Sequence, residues 1–209
     1  MKREYLFIYN MVQWGGWLMI FSEIVQNPSF GFSPYVYIFQ LLALLEVAHA
    51  VLGIVRANPF TTIVQVFGRL QVLYVHYYII EARDSSGNLP MILAWSLVEI
   101  VRYLYLSLNL IGAAPYGLIW LRYSLFYILY PIGVYGEMKV LYDALPGIDR
   151  TGLGSFTLPN DYNFIFSFAT YVRIFLVVAY LPGLWNQYTY MMKQRRVALD
   201  KALHAHKTD

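Results

Sequence analysis

The sequence predicts an all-α, polytopic membrane protein, folded as a six-transmembrane-helix bundle with both termini cytosolic. Three observations predict it. Hydrophobic residues make up 59% of the 209 and charged residues only 13%, whereas a soluble domain carries about 25% charged residues, so this chain cannot cover itself with polar surface. The apolar residues fall into runs of roughly 20, the length that crosses a bilayer core as a helix. The breaks between runs carry Asn-Pro, Gly, Pro and Asp-Ser-Ser-Gly-Asn, residues that turn a chain. Six runs with short connections use up the chain, so one membrane domain over 1–209 is expected, with a polar cytosolic tail from about 190.

Taken in order, span one runs from about Tyr5 to Val25, and Asn27-Pro28 with Gly31 to Pro34 turns the chain. Span two, about Tyr35 to Val55, stops at Arg56-Ala57-Asn58-Pro59. Span three, about Thr61 to Ile80, is the least apolar, since it holds Gln65, Arg69, Gln71 and His76. Asp84 to Asn88 is a loop. Span four runs from about Pro90 to Leu110, and Gly112 to Pro115 turns the chain again. Span five runs from about Gly117 to Leu141. A loop rich in Gly, Pro and Asp is expected from Asp143 to Asn163, then span six from about Phe164 to Trp185. The tail from Lys193 is expected to be an exposed helix or disordered.

Orientation follows from Lys and Arg near span ends. The side holding both termini carries Lys2, Arg3, Arg56, Lys193, Arg195, Arg196, Lys201 and Lys207; the other carries Arg83, Lys139 and Arg150. The tail supplies most of the difference. The chain has 20 Tyr, 13 Phe and 5 Trp, more than two interfacial belts need, so some Tyr hydroxyls lie inside the bundle and require partners. There is no Cys, which excludes disulfides, thiolate catalysis and zinc–cysteine sites. His49, His76, His204 and His206 do not form a metal-ligand pattern, and no metal is expected. No nucleic-acid partner is expected either.

Ionisable groups remain inside the expected spans: Glu23, Glu46, Glu99 and Glu137 against Arg69, Arg102, Arg122 and Arg173. Each is costly at the bilayer centre, about 2.5–3.5 kcal/mol on insertion scales. Mutual pairing is one reading, and Glu99 and Arg102, three apart, share a helix face. The other reading is functional. Arg56, Arg69, Arg102 and Arg122 fall in the cytosolic half, where guanidinium forks suit phosphates. His49 to Arg56, HAVLGIVR, has the spacing of a cysteine-phosphatase loop, but Ala50 stands at the nucleophile position and the segment is an apolar span. Thiolate phosphatase chemistry is excluded.

Span five carries the most unusual combination, LRYSLFYILYPIGVYGE from Leu121 to Glu137. An ionisable residue within an apolar span marks a site. Tyr130 and Glu137 are seven apart, within about 20° on a helix and about 10 Å along its axis. Helical side chains lean toward the N-terminus, so Glu137 leans toward Tyr130. Pro131, Gly133 and Gly136 allow a kink or opened turn between them and leave room for a ligand. A carboxylate and a phenol in an apolar pocket suit proton transfer. The alternative is that Tyr130 packs and Glu137 lies at the far rim.

Three blocks extend the pattern: LLEVAHAVLGIVRANP from Leu44, AWSLVEIVRYLYLSLNLIG from Ala94, and WLRYSLFYILYPIGVYGEMKVLYDALP from Trp120. Together they resemble the membrane 3-hydroxyacyl-CoA dehydratases of very-long-chain fatty-acid elongation, the protein tyrosine phosphatase-like or PASTICCINO2-like family. The resemblance covers most of the chain. It implies that Tyr130 and Glu137, matching Tyr-Pro-x-Gly-x-x-x-Glu, are the catalytic pair. It also implies six spans, cytosolic termini and an endoplasmic reticulum membrane location, although the tail KALHAHKTD lacks the dilysine-type signal common in the family.

The implied reaction removes water from a (3R)-3-hydroxyacyl-CoA to give the trans-2-enoyl-CoA. Glu137 is assigned as base at C2 and Tyr130 as acid at the C3 hydroxyl, with the reverse assignment open. Arg122 and Tyr123 are candidate helpers at the thioester. No metal or redox cofactor is expected; coenzyme A is part of the substrate. The implied partners are the acyl-CoA, the lipid bilayer and the other elongation enzymes: condensing enzyme, ketoacyl reductase and enoyl reductase. A catalytically inactive scaffold of those enzymes, or a channel, are the competing readings. Depth poses a question, because Glu137 lies about 20 residues, or 30 Å, from the cytosolic end of span five.

Overall fold

A computed structural model describes residues 2–27 and 32–207. These residues form helices connected by short turns, with a single β-bridge, between Phe156 and Phe166. The turn expected at Pro28 to Gly31 and the last two residues of the tail lie outside the described residues. α1 spans Lys2–Gln26. α2, Pro34–Leu42, starts on a Ser33 cap whose hydroxyl accepts from Tyr35 N at 3.3 Å. α3, Leu44–Val51, continues it after a one-residue interruption at Ala43. α4, Pro59–Tyr78, starts with Pro at its first position and an Asn58 cap accepting from Phe60 N at 2.9 Å, a combination that satisfies the open helix end.

The short α5, Ile80–Arg83, leads into α6, Asn88–Leu110. Expected span five is two helices: α7, Tyr116–Ser124, and α8, Phe126–Thr151, interrupted at Leu125. α9, Phe168–Ile174, runs into a π-helical turn, Phe175–Ala179, and then into α10, Tyr180–Lys207. Three helical segments are long and apolar enough to cross a membrane: Pro34–Val51, Asn88–Leu110 and Tyr116–Thr151. The pair Phe168–Val178 and Pro182–His204, bent by 48°, makes a fourth if it is one span. α1 and α4 sit at the positions of expected spans one and three but fall outside this set. Their buried faces are partly polar, with Asn10 and Gln13 on α1 and His76 on α4.

Two sequence expectations change. The loop placed from Asp143 to Asn163 begins only after Thr151, where Gly152 takes φ +65°. Pro146 and Gly147 lie within α8, and Gly147 packs so close to α5 and the residue before it that a Cβ there would meet Glu81 of α5 and Ile79 Cγ2, the latter at 2.5 Å; packing, not turning, explains these residues. The helix also runs unbroken through Pro131, and the interruption falls upstream at Leu125. A proline ring clashes with the backbone one turn before it, which places the disturbance N-terminal to Tyr130 rather than between Tyr130 and Glu137. The tail takes the helical one of its two expected forms, as the continuation of α10, mostly exposed but with Leu199 buried.

The core lies where α1 and α8 pack on α6. Trp17, Ile20, Met91, Ile92, Trp95, Tyr103, Val140, Leu141 and Ile148 are buried there. α6 and α8 approach closely because both offer small surfaces. A Cβ on Gly136 would lie 2.6 Å from Met91 N and 2.7 Å from Gly87 O, and one on Gly133 would lie 3.3 Å from Ala94 Cβ. The space expected beside these glycines for a ligand is therefore filled by α6. Their role is to bring Glu137 up to Trp95.

Candidate active site

Tyr130 and Glu137 lie on the same unbroken stretch of α8, both half-buried. Glu137 is held at both oxygens. The indole Nε1 of Trp95 on α6 donates to Oε1 at 2.7 Å, and the phenol of Tyr180 at the start of α10 donates to Oε2 at 2.7 Å. The Tyr130 ring lies 6.4 Å from that of Tyr188 on α10. Three helices thus converge on one carboxylate, and every donor on it among the described residues is neutral.

The arginines expected to gather phosphates do something else. Arg102 Nε donates to Glu99 Oε2 at 2.5 Å, and its two terminal nitrogens grip Glu46 at 2.9 and 2.8 Å. Tyr103 adds a hydrogen bond to Glu46 at 2.6 Å. Arg69 pairs with Glu99. Glu46, Glu99, Arg69 and Arg102 therefore form one continuous network across α3, α4 and α6. Pairing is the reading that holds for them, with Glu46 matched to Arg102 and Arg69 to Glu99. Two guanidiniums already committed to carboxylates are poor seats for a phosphate, because release would leave buried anions unpaired.

The remaining predicted residues scatter. Arg56 is exposed in the turn between α3 and α4. Arg122 is half-buried on α7, its guanidinium 5.6 Å from the Tyr123 ring, with no carboxylate partner among the described residues. Tyr123 meets Tyr105 edge-on at 6.0 Å. The segment with phosphatase-loop spacing is the end of α3. Gly53 takes φ +65° and Ile54 N donates to His49 O at 2.7 Å, a left-handed helix terminus rather than an anion cradle.

Trp95 and Tyr180 are the residues that the sequence reading missed. A signal for Trp95 existed: it stands four residues before Glu99, on the same face of span four, and a buried indole needs an acceptor. Tyr180 gave none, because its facing is set by the π turn before it, which no periodicity announces. Arg69 joins the two sites, its guanidinium lying 4.9 Å from the centroid of the Trp95 ring.

The chain is similar to proteins of one family. A family model described as protein tyrosine phosphatase-like protein, PTPLA, matches residues 40–201. A human protein named very-long-chain (3R)-3-hydroxyacyl-CoA dehydratase 2 is 35% identical over 93% of this chain and 80% of its own length. A Caenorhabditis elegans protein, very-long-chain (3R)-3-hydroxyacyl-CoA dehydratase hpo-8, is 36% identical over 94% of this chain and 95% of its own. The Arabidopsis thaliana protein named very-long-chain (3R)-3-hydroxyacyl-CoA dehydratase PASTICCINO 2 is 32% identical over 96% and 95%. No solved structure matches. The chain belongs to the protein tyrosine phosphatase-like, PTPLA, family.

Proposed function

We propose that the protein is a very-long-chain (3R)-3-hydroxyacyl-CoA dehydratase, a lyase that removes water to give trans-2-enoyl-CoA in the fatty-acid elongation cycle. The observation that carries this reading is the carboxylate of Glu137, held inside an apolar bundle by neutral donors alone, on the same helix as Tyr130. The names of the relatives supply the substrate class. Glu137 takes the proton from C2. The C3–O bond breaks, the departing hydroxyl takes the phenolic proton of Tyr130, and the C2–C3 double bond forms as water leaves. Return of the proton from Glu137 to the Tyr130 phenolate resets the site. No metal or redox cofactor enters; coenzyme A comes with the substrate.

The protein sits in the endoplasmic reticulum membrane with six spans and cytosolic termini, where it receives substrate from the ketoacyl reductase and passes product to the enoyl reductase. Arg122, with no carboxylate partner among the described residues, is the in-span cation best placed to meet the coenzyme A phosphates. A cleft of about 530 Å³ between α4 and α9, lined by Val64, Phe67, Gly68, Tyr74 and Phe175, is the proposed seat of the acyl chain. Its Phe175 wall meets the Tyr180 ring edge-on at 5.0 Å. Burial of a long chain there spares about 0.8 kcal/mol per methylene otherwise left in water.

Purified protein in detergent, given a long-chain 3-hydroxyacyl-CoA, is expected to release the enoyl product. Glu137→Gln and Tyr130→Phe should each lower the rate by about 10²–10⁴-fold, the range for loss of general acid–base catalysis. Full activity in both variants would overturn the site. Absence of product at every acyl length from wild-type protein would leave the scaffold reading in its place.

A further inference from the structure

We infer that Tyr180, together with Trp95, is a positioning residue for the catalytic carboxylate, and that the π turn before Tyr180 is the device that places it. The inference rests on the dehydratase reading and adds what fixes the base. An indole N–H can only donate, so Trp95 defines Oε1 as an acceptor. Tyr180 donates to Oε2. Both oxygens of Glu137 are therefore engaged as acceptors, the capacity of a carboxylate that removes a proton rather than of an acid that supplies one. That arrangement suits Glu137 as the base and leaves Tyr130, whose hydroxyl is not bonded to Glu137, as the acid.

Two further features set the geometry. A helix advances about 100° per residue at 3.6 residues per turn. The wider π turn over Phe175–Ala179 shifts the phase of everything after it, and π turns recur at functional sites. Tyr180 is the first residue past that turn. Its ring is braced by Phe175, edge-on at 5.0 Å with an interplanar angle of 80°, and Phe175 is stacked in turn on Tyr171 at 5.7 Å. On the opposite side Trp95 is buried at 2% exposure beneath the Arg69 guanidinium. The carboxylate is thus fixed between two braced rings, one on α6 and one on α10. A base left free to rotate about its side-chain torsions would lose the alignment that proton abstraction needs.

The test is steady-state kinetics of the full-length protein in detergent, with a long-chain 3-hydroxyacyl-CoA as substrate. Tyr180→Phe removes one oxygen and keeps the ring against Phe175. It is expected to lower kcat by about 10–100-fold, the cost of misaligning a reacting group, while KM and the melting temperature stay close to wild type. A kcat within about twofold of wild type, where positioning predicts at least tenfold, would overturn the inference while leaving the dehydratase reading intact. So would a fall in kcat that only tracks loss of folded protein. Should Tyr180→Phe fail to fold, Trp95→Phe tests the same clamp from the other oxygen, with the same expected split between kcat and KM. Wild-type protein without activity would instead sink the dehydratase reading, a result that no Tyr180 variant can mimic.

Discussion

Glu99 and Glu137 are both carboxylates inside the bundle, and their partner sets touch where the Arg69 guanidinium lies over the Trp95 ring. They are held in opposite ways. Glu99 meets two guanidiniums, Arg69 and Arg102, and is 5% exposed. Glu137 meets an indole and a phenol. A guanidinium neutralises a carboxylate and fixes it; neutral donors orient it and leave its charge available to the substrate. The first arrangement builds a scaffold joint across α3, α4 and α6. The second suits the base that the proposed dehydration needs. The same residue type in the same solvent is sorted into structure or chemistry by the charge of its partners.

The comparison breaks most clearly by exchanging outcomes between the two sites. Glu137→Gln keeps acceptor and donor capacity opposite Trp95 and Tyr180, so its folded stability should stay within about 1 kcal/mol, the net worth of one hydrogen bond, while activity is lost. Arg102→Leu leaves Glu46 and Glu99 without a shared cation, and breaking a buried pair costs about 3–5 kcal/mol. Thermal unfolding in detergent should therefore show Arg102→Leu severely destabilised and Glu137→Gln close to wild type. A stable but inactive Arg102→Leu would mean that the network serves catalysis directly.

A smaller effect is expected where the two sites are brought together. Gly136→Ala puts a methyl within 2.7 Å of the Met91 and Gly87 backbone, so α6 and α8 must separate. Overpacking of this kind costs about 1–3 kcal/mol. Because Trp95 rides on α6 and Glu137 on α8, the same separation stretches their hydrogen bond. Activity should fall further than the change in melting temperature accounts for. Equal activity per folded molecule would show that the Trp95 contact contributes nothing to the reaction.

How much of this was legible in the sequence follows the same division. The helices were readable, and so was the placement of Tyr130 and Glu137 on one helix, since apolar run length and a seven-residue spacing are local facts. The i,i+3 pairing of Glu99 with Arg102 was local too. What failed was every inference about what glycine and proline do in α8. Pro131 was read as a softened turn, and Pro146 with Gly147 as a loop; the structure uses Gly136 and Gly147 as contact surfaces for α6 and α5. Local sequence signals a break, but packing decides whether it becomes a bend or a seat. Tyr180 and the Arg69–Trp95 contact were beyond reach because they depend on which helices are neighbours.

A third region tests whether the site's chemistry can be separated from its choice of substrate. Gly68 lines the apolar cleft between α4 and α9, and a Cβ there meets no atom within 4 Å. Gly68→Leu should fill the cleft without disturbing either carboxylate. In the middle of α4 it also removes a helix-weakening glycine, a gain of about 0.8–1 kcal/mol. The expected result is a small rise in melting temperature, unchanged kcat on shorter 3-hydroxyacyl-CoA substrates, and a loss of activity confined to the longest chains. A melting temperature that rises with the chain-length profile unmoved would show that the cleft faces lipid only, and that the acyl chain leaves the Glu137 site by another route.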